Sequence, residues 1–513
     1  MNTKNRELVN EMIANPYVLE SRSYRYYFFL ISGDEYERIR SIEVEIEVLS
    51  GQAKLVLNGY LPGAFRTMAG AGRQSIRIPA ACLEKGENIL AYKGQVKILV
   101  VHLQENGGSE PVKTVCECTK EDNYGRALEF LLNSRITAPA DSQFAGSAYC
   151  LYDYTNGCYR MPFWLWSDAP TVSVLLDTIQ SGWYPEQREV MEELARGICD
   201  VFLNTQILDE DEDSYGAYVS RYRYYGHADY SFNRLLGPND TSFSIKWAML
   251  PMYEYTGDER YLKSAQLGLK WVEKVIRTMD FVPSHYYYEN KRWEDRAFVD
   301  TGFCVEGFQK YDEITGSDHY AQIIDFTMKR YVRQFKLDSG FYGQNYRPET
   351  GVDGNLFARG QGWALEGLLA CIRGGVNREE YLAEAQNLAD LLAANQNTGG
   401  SFSWSLGDGR PDEQTKRDTG DCEKGTAVLA WLFMEMYMLV KKESYLRAAA
   451  KALNWCSEQI KTDAGEGYGG IAAAGICSGI TGLPFLEVAT GYANAFYLMA
   501  LRLWQQAEKG EAF

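Results

Sequence analysis

The residues best suited to chemistry in this chain of 513 residues are two aspartates and an arginine. Asp240 stands in Asn-Asp-Thr-Ser-Phe, Asp300 in Val-Asp-Thr-Gly-Phe, and Arg359 in the stretch FARGQGWALEGL, residues 357–368. Neighbouring carboxylates raise one another's proton affinity, which suits one to donate a proton while the other stays ionised. An arginine beside glycines presents a planar fork that matches a carboxylate on a ligand. Taken singly, each aspartate has a plainer reading as a helix N-cap that complements the helix dipole. Their common register sets them apart. Asp240 lies 21 residues before Tyr261, Asp300 20 before Tyr320, Arg359 22 before Tyr381, and Glu423 22 before Tyr445.

Those tyrosines mark a repeat. YTGDERYLKSA at 255–265 is echoed by ITGSDHYAQI at 314–323, and more weakly at 376–385 and 442–449. The tyrosine spacings are 59, 61 and 64. A period near 60 exceeds that of the common two-helix solenoids and fits two longer helices with a loop. Each echo opens an amphipathic helix. Before each lies a more apolar helix, beginning near Thr241, Thr301, Gly360 and Lys424, with two more near Ser167 and Thr490. Segments 123–133 and 185–204 supply the remaining amphipathic helices. Helices apolar nearly all round belong inside and amphipathic ones outside. Six of each, alternating, predict a mainly α fold, an (α/α)6 toroid. Residues just before the inner helices then ring one mouth: Asp168, Asp240, Asp300, Arg359, Glu423 and Thr490.

Residues 1–112 read differently. Ser41–Val48 alternates polar and apolar side chains, as a half-buried strand does, and short strands follow at 53–57, 74–78, 89–92 and 95–103. Turn residues between them predict an antiparallel β-sandwich, and AKLVLNG and IPAACLEKGENILAY resemble the jelly-roll domains that accompany many glycoside hydrolases. Gly107–Pro111 reads as the linker. The expected division is 1–112, an accessory sandwich, and 113–513, the catalytic toroid.

Composition narrows the partners. A net charge of −17 disfavours nucleic acid and anionic membranes, so an acidic ligand needs locally placed basic groups. The chain has no apolar run long enough to span a bilayer. The start, MNTKNRELVNEMIANPY, lacks the apolar core of a secretory signal, and the expected location is cytoplasmic. Eleven cysteines, an odd number without CxxC pairs, argue against a complete disulfide framework. No HExxH, P-loop or dinucleotide fingerprint is present. The 36 tyrosines and 11 tryptophans supply faces on which sugar rings stack, although most are expected in the core. A homo-oligomer is compatible with the sequence.

FARGQGWALEGL resembles the RGQ/RGN-x-W segment of the unsaturated uronyl hydrolases, glycoside hydrolase families 88 and 105 of the six-hairpin glycosidase superfamily. EKGTAVLAW, residues 423–431, is similar to their E-x-S-G-T-A segment. The resemblance covers about residues 150–505. It implies Asp300 as general acid with Asp240 as partner carboxylate. It also implies substrate contacts from Arg359 and Trp363, and an oligosaccharide ending in a uronate as substrate; Gln361, Glu423, Thr426, Asp168, Gln344 and His227 are the further candidates for substrate binding. In that family the enzyme protonates C4 of a 4,5-unsaturated uronate, water adds at C5, and the hemiketal collapses, with no metal or diffusible cofactor. This chain departs from the family in one loop, where a histidine is replaced within GFYGQNYR, residues 340–347. Gln344 or Asn345 can replace its hydrogen bond but not its charge. His227 and His285, two of only four histidines, lie in other loops on the same side. Competing expectations are an exo-acting glucuronidase on a saturated uronide, a sugar epimerase or uronate lyase on the same toroid, and a carbohydrate-binding protein without activity.

Overall fold

The computed structural model of the chain describes residues 6–8, 24–31, 39–57, 68–69, 71–79, 86–105, 123–136, 144–154, 157–222, 234–406, 421–462, 465–473 and 487–508. The expected linker, His227 and much of the glycine-rich stretch 465–482 lie outside these residues.

Among the described residues, twelve long helical segments alternate along the second part of the chain. The inner six are Leu165–Gln180, 238–256, 299–315, Ala358–Arg373, Glu423–Val440 and Gly491–Glu508. The outer six are Asn123–Asn133, Arg188–Thr205, Glu259–Thr278, Ala321–Phe335, Arg378–Ala394 and Glu443–Glu458. Each inner helix packs on the next, and the last closes on the first. The sequence dictates this sorting. Nearly every residue of Ala358–Arg373 and Glu423–Val440 is buried, whereas Glu259–Thr278 buries only a stripe that includes Tyr261, Ala265, Leu269 and Val272. An outer helix with one apolar face must lie on a layer that is apolar all round.

Two inner helices are irregular, the second in its middle and the third where it approaches the mouth. In the second, a π-turn spans Ile245–Met249 between Pro238–Ser244 and Leu250–Thr256. Pro251 has no N–H for the Trp247 carbonyl, which accepts instead from the Ser173 hydroxyl at 2.6 Å. The third inner helix opens as a 3-10 turn, Val299–Val305, before becoming α at Glu306. Ser242 ties the two together, donating to the Cys304 carbonyl at 2.6 Å and accepting from the Gly307 N–H at 3.0 Å.

The third and fourth inner helices meet at glycines. A Cβ on Gly302 would stand 2.5 Å from the Trp363 carbonyl oxygen, and one on Gly367 would stand 1.9 Å from that of Gly302. Only bare backbone fits on either side of this seam.

Among the described residues of the N-terminal part, six strands pair antiparallel into one connected sheet. Ile39–Leu57 and Gly86–Glu105, each of which merges two of the expected short strands, run beside one another with several register shifts. Ile42, Val44, Ile46 and Val48 are buried while Glu43, Glu45 and Glu47 are partly exposed, which is the alternation expected of a half-buried strand. The antiparallel strands are thus as expected. The pairing traces a single sheet and does not resolve it into the two facing layers of a sandwich. No helix among the described residues is long and apolar enough to cross a membrane.

Candidate active site

Asp240, Asp300, Arg359 and Trp363 line one cavity of about 220 Å³ at the mouth formed by the inner-helix N-termini. Trp164, Trp166, Arg221, Phe243, His285 and Tyr492 are among the residues that complete its wall. A larger cavity of about 920 Å³ opens at the other end of the toroid. Its charges are largely paired with one another: Arg373 with Glu435 at 2.6 Å, Lys310 with Glu313 at 2.8 Å and Arg502 with Asp177 at 3.4 Å. The smaller cavity holds Arg359, two of whose buried nitrogens have no acceptor among the described residues.

Asp240 sits in the first turn of the second inner helix, behind Gly237 as N-cap and Pro238 as first residue. A Cβ on Gly237 would come within 2.9 Å of Asp240 Oδ2, so the bare glycine makes room for the carboxylate. Asp300 is the second residue of the 3-10 turn opening the third inner helix. Asn239 Nδ2 donates to Asp300 Oδ1 at 2.8 Å. Burial and then the charge of Asp240 push the Asp300 carboxyl up to about 8, against the Asn239 hydrogen bond, which pulls it down. Asp300 is therefore mostly neutral near pH 7 and keeps a partly exposed edge towards the cavity.

Arg359 occupies the first turn of Ala358–Arg373, where a cation opposes the helix dipole. Aromatic faces offset that cost. The guanidinium carbon lies 4.7 Å from the Trp363 ring centre, 5.0 Å from Trp166, 5.3 Å from Phe357 and 5.4 Å from Tyr492. Its buried Nε and Nη1 have no acceptor among the described residues. A caged guanidinium with unused donors is chemically able to bind an anion.

The other residues expected at the site are placed elsewhere. Gln361 is fully buried and commits its amide to the Tyr342 backbone, accepting from N–H at 2.9 Å and donating to C=O at 2.7 Å. Thr426 accepts from the Phe402 N–H at 2.9 Å. Glu423 is buried against Lys424 at 2.8 Å, one residue along the same helix. Asp168 accepts from Ser147 Oγ and the Trp164 N–H, and burial pushes its carboxyl up to about 8. None of these four lines the cavity, and neither does Gln344, whose backbone bonds Val299 and Asp353. Asn345 beside it accepts from Arg296 at 2.7 Å. His227 is outside the described residues.

His285 does line the cavity, with Nε2 3.9 Å from Asp240 Oδ2. Several wall residues escape a reading that takes one residue per helix mouth. Trp164 and Trp166 stand just before Asp168, and Tyr492 just after Thr490, so widening the window at each mouth finds them. Arg221 sits on the strand Val219–Tyr222 and Arg296 on a loop, both between helices, where no repeat marks them.

No protein-family model and no curated protein matches the sequence. Solved structures do match in fold. An unsaturated glucuronyl hydrolase from Bacillus sp. GL1, described as responsible for glycosaminoglycan degradation, aligns with a TM-score of 0.56 at 17% identity, covering 76% of this chain and 96% of its own. A cellobiose 2-epimerase from Spirochaeta thermophila gives 0.56 at 12% identity over 78% and 100%. A family 76 glycoside hydrolase from a bovine Bacteroides thetaiotaomicron strain gives 0.53 at 14% over 94% and 97%. At these identities the likeness is one of fold: the chain has the six-hairpin toroid of these structures.

Proposed function

We propose that the chain is a carbohydrate-active enzyme of the glycoside hydrolase type that removes a terminal 4,5-unsaturated uronate from an oligosaccharide, with residues 113–513 carrying the chemistry and 1–112 accessory to it. The observation that carries this reading is a neutral carboxylic acid and an unpaired guanidinium in one small cavity. Arg359 takes the uronate carboxylate. Asp300 donates its proton to C4 of the vinyl ether, and positive charge develops at C5 and the ring oxygen, where the anionic Asp240 stabilises it. Water adds at C5, its proton returns to the ionised Asp300, and the hemiketal opens to a C5 ketone; C1, left as a hemiacetal, becomes an aldehyde as its bond to the remaining sugar breaks and that sugar leaves as an alcohol. At about 220 Å³ the cavity is smaller than the roughly 300–1,000 Å³ of drug-sized ligand pockets, which fits a single terminal sugar unit and exo action.

The test is incubation with lyase-generated unsaturated disaccharides while following the ultraviolet absorbance of the C4=C5 bond. Loss of absorbance with release of the second sugar supports the reading. Unchanged absorbance together with release from a saturated glucuronide would move it to the exo-glucuronidase alternative. The presence of His285 in the cavity gives one observation to an epimerase or lyase, since a ring nitrogen beside a sugar is a candidate base. Product analysis separates these outcomes: an epimer or a new double bond appears in place of hydrolysis.

A further inference from the structure

His285 and Glu294 are brought together by a hairpin, Tyr286–Tyr287 paired with Arg292–Trp293, whose mouth is closed by a Glu294 N–H to His285 C=O bond of 2.8 Å. Across that mouth Glu294 Oε2 lies 3.4 Å from His285 Nδ1, with Ser284 Oγ at 3.0 Å from the same nitrogen. Behind Glu294, Arg296 Nε donates to its other oxygen at 2.7 Å and is itself anchored to Asn345. On the far side of the ring, Nε2 faces Asp240 Oδ2 at 3.9 Å. A guanidinium, a carboxylate, an imidazole and a second carboxylate therefore follow one another along a line from Arg296 through Glu294 and His285 to Asp240, and the line ends beside Asp300. The other charged groups of the cavity wall are Arg221, which lies 4.3 Å over Trp164, and the caged Arg359. An imidazole with a carboxylate facing each nitrogen offers a donor to both only in its doubly protonated form.

We propose that His285 is the positioning residue of the acid pair: held as an imidazolium between Glu294 and Asp240, it keeps the negative charge on Asp240 and so leaves the proton on Asp300. The role of the pair rests on the hydrolase reading above; the charge state of His285 does not. Glu294 fits the arrangement. Burial alone pushes its carboxyl up, yet the hydrogen bond and charge of His285, with Arg296 behind, bring it down to about 2. The device gives the two aspartates different jobs although both open inner helices in the same way. Asp240 has the cationic line at its back, and Asp300 has Asn239 and the apolar wall.

The test reads the His285 ring directly. Carbon-detected NMR titration of the histidine Cε1–Hε1 signals, with His285→Gln to assign the resonance, gives the midpoint in the full chain. Expected is a lower midpoint in Glu294→Gln and in Asp240→Asn, each of which removes one flanking carboxylate, and recovery towards the native value in Glu294→Asp. Asp240→Asn is nearly isosteric and keeps the test alive if Glu294→Gln fails to fold. An unchanged midpoint in both variants overturns the proposal. In a second arm, the low-pH limb of kcat/KM moves to higher pH in His285→Gln, because Asp240 loses its cationic neighbour; a purely structural role for His285 lowers the rate without moving that limb. A responsive His285 in a chain that turns over no uronide overturns the hydrolase reading alone.

Discussion

Asn239 Nδ2 donates to Asp300 Oδ1 at 2.8 Å, so the residue next to one aspartate holds the other. The contact bridges the second and third inner helices and aims Asp300 into the cavity without neutralising it. An amide donor favours the ionised carboxylate modestly, whereas burial and the Asp240 charge oppose ionisation more strongly. The outcome is an acid that holds its proton at neutral pH and remains able to release it.

Asp300→Asn keeps shape and removes the proton. A fall in turnover of at least about a hundredfold, with the circular dichroism spectrum unchanged, is expected. In the native chain, activity that needs the neutral acid is full below, and falls as pH rises through, about 8. A profile flat from pH 6 to 9 would place the acid on another residue.

Asn239→Ala removes a hydrogen bond that favours the charged form of Asp300, so the high-pH limb moves upward. The pH dependence of kcat/KM checks this. A downward move would mean that Asn239 acts on the neutral acid instead.

Arg359→Lys retains charge but loses the planar fork and its fit between four rings. The expected effect is a rise in KM for uronides of about tenfold or more, the scale of one charge-assisted hydrogen bond, with a smaller effect on kcat. Competition by free glucuronate gives an independent readout. Equal inhibition of the native chain and the Arg359→Lys variant would show that the carboxylate is held elsewhere.

Asp168 supplies a stability test separate from activity. Burial raises its carboxyl from the ordinary 3.8 to about 8, and its Oδ1 has no partner among the described residues. The folded chain holds this proton more tightly than the unfolded chain. The resulting stability is complete below pH 4 and is lost as pH rises through about 8. Asp168→Asn escapes that loss, so its melting temperature should gain on the native chain between pH 5 and 8. A constant difference across that range would show that Asp168 is ionised at all these values.

Gln361→Leu leaves a buried N–H and a buried C=O of Tyr342 without partners. A cost of about 2–4 kcal/mol in urea unfolding is expected, with KM little changed. A large rise in KM with stability intact would return Gln361 to the substrate.

The toroid was legible in the sequence because a helix pair repeats and its inner member is apolar on every side, a pattern that few architectures besides a closed ring of hairpins produce. Asp240, Asp300 and Arg359 were legible for a related reason: residues at one phase of a repeat share a mouth. Gln361 and Thr426, also expected to touch substrate, do not line the cavity. Each lies two or three residues into its helix, and within one turn a helix swings a side chain from the cavity to the layer behind. Phase identifies the end of a helix but not the side. His285, Glu294 and Arg296 were beyond periodicity altogether, because they lie in a loop and its hairpin, and only folding brings them to Asp240.

The glycine seam between Gly302 and Gly367 has a consequence for how this scaffold can change. It joins the helix that carries Asp300 to the helix that carries Arg359, backbone against backbone, and leaves no side chain to trim or enlarge. Point mutation can therefore wedge these helices apart but cannot tune their spacing in small steps. The span from acid to cation behaves as a fixed gauge, inherited whole. New substrates must be accommodated by what surrounds the gauge: Ser284, His285 and Arg296 on their loop, Trp164 and Trp166 at the start of the first inner helix, and the strand at 219–222. Selection on this chain should accordingly be recorded in its loops, while the two glycines stay silent.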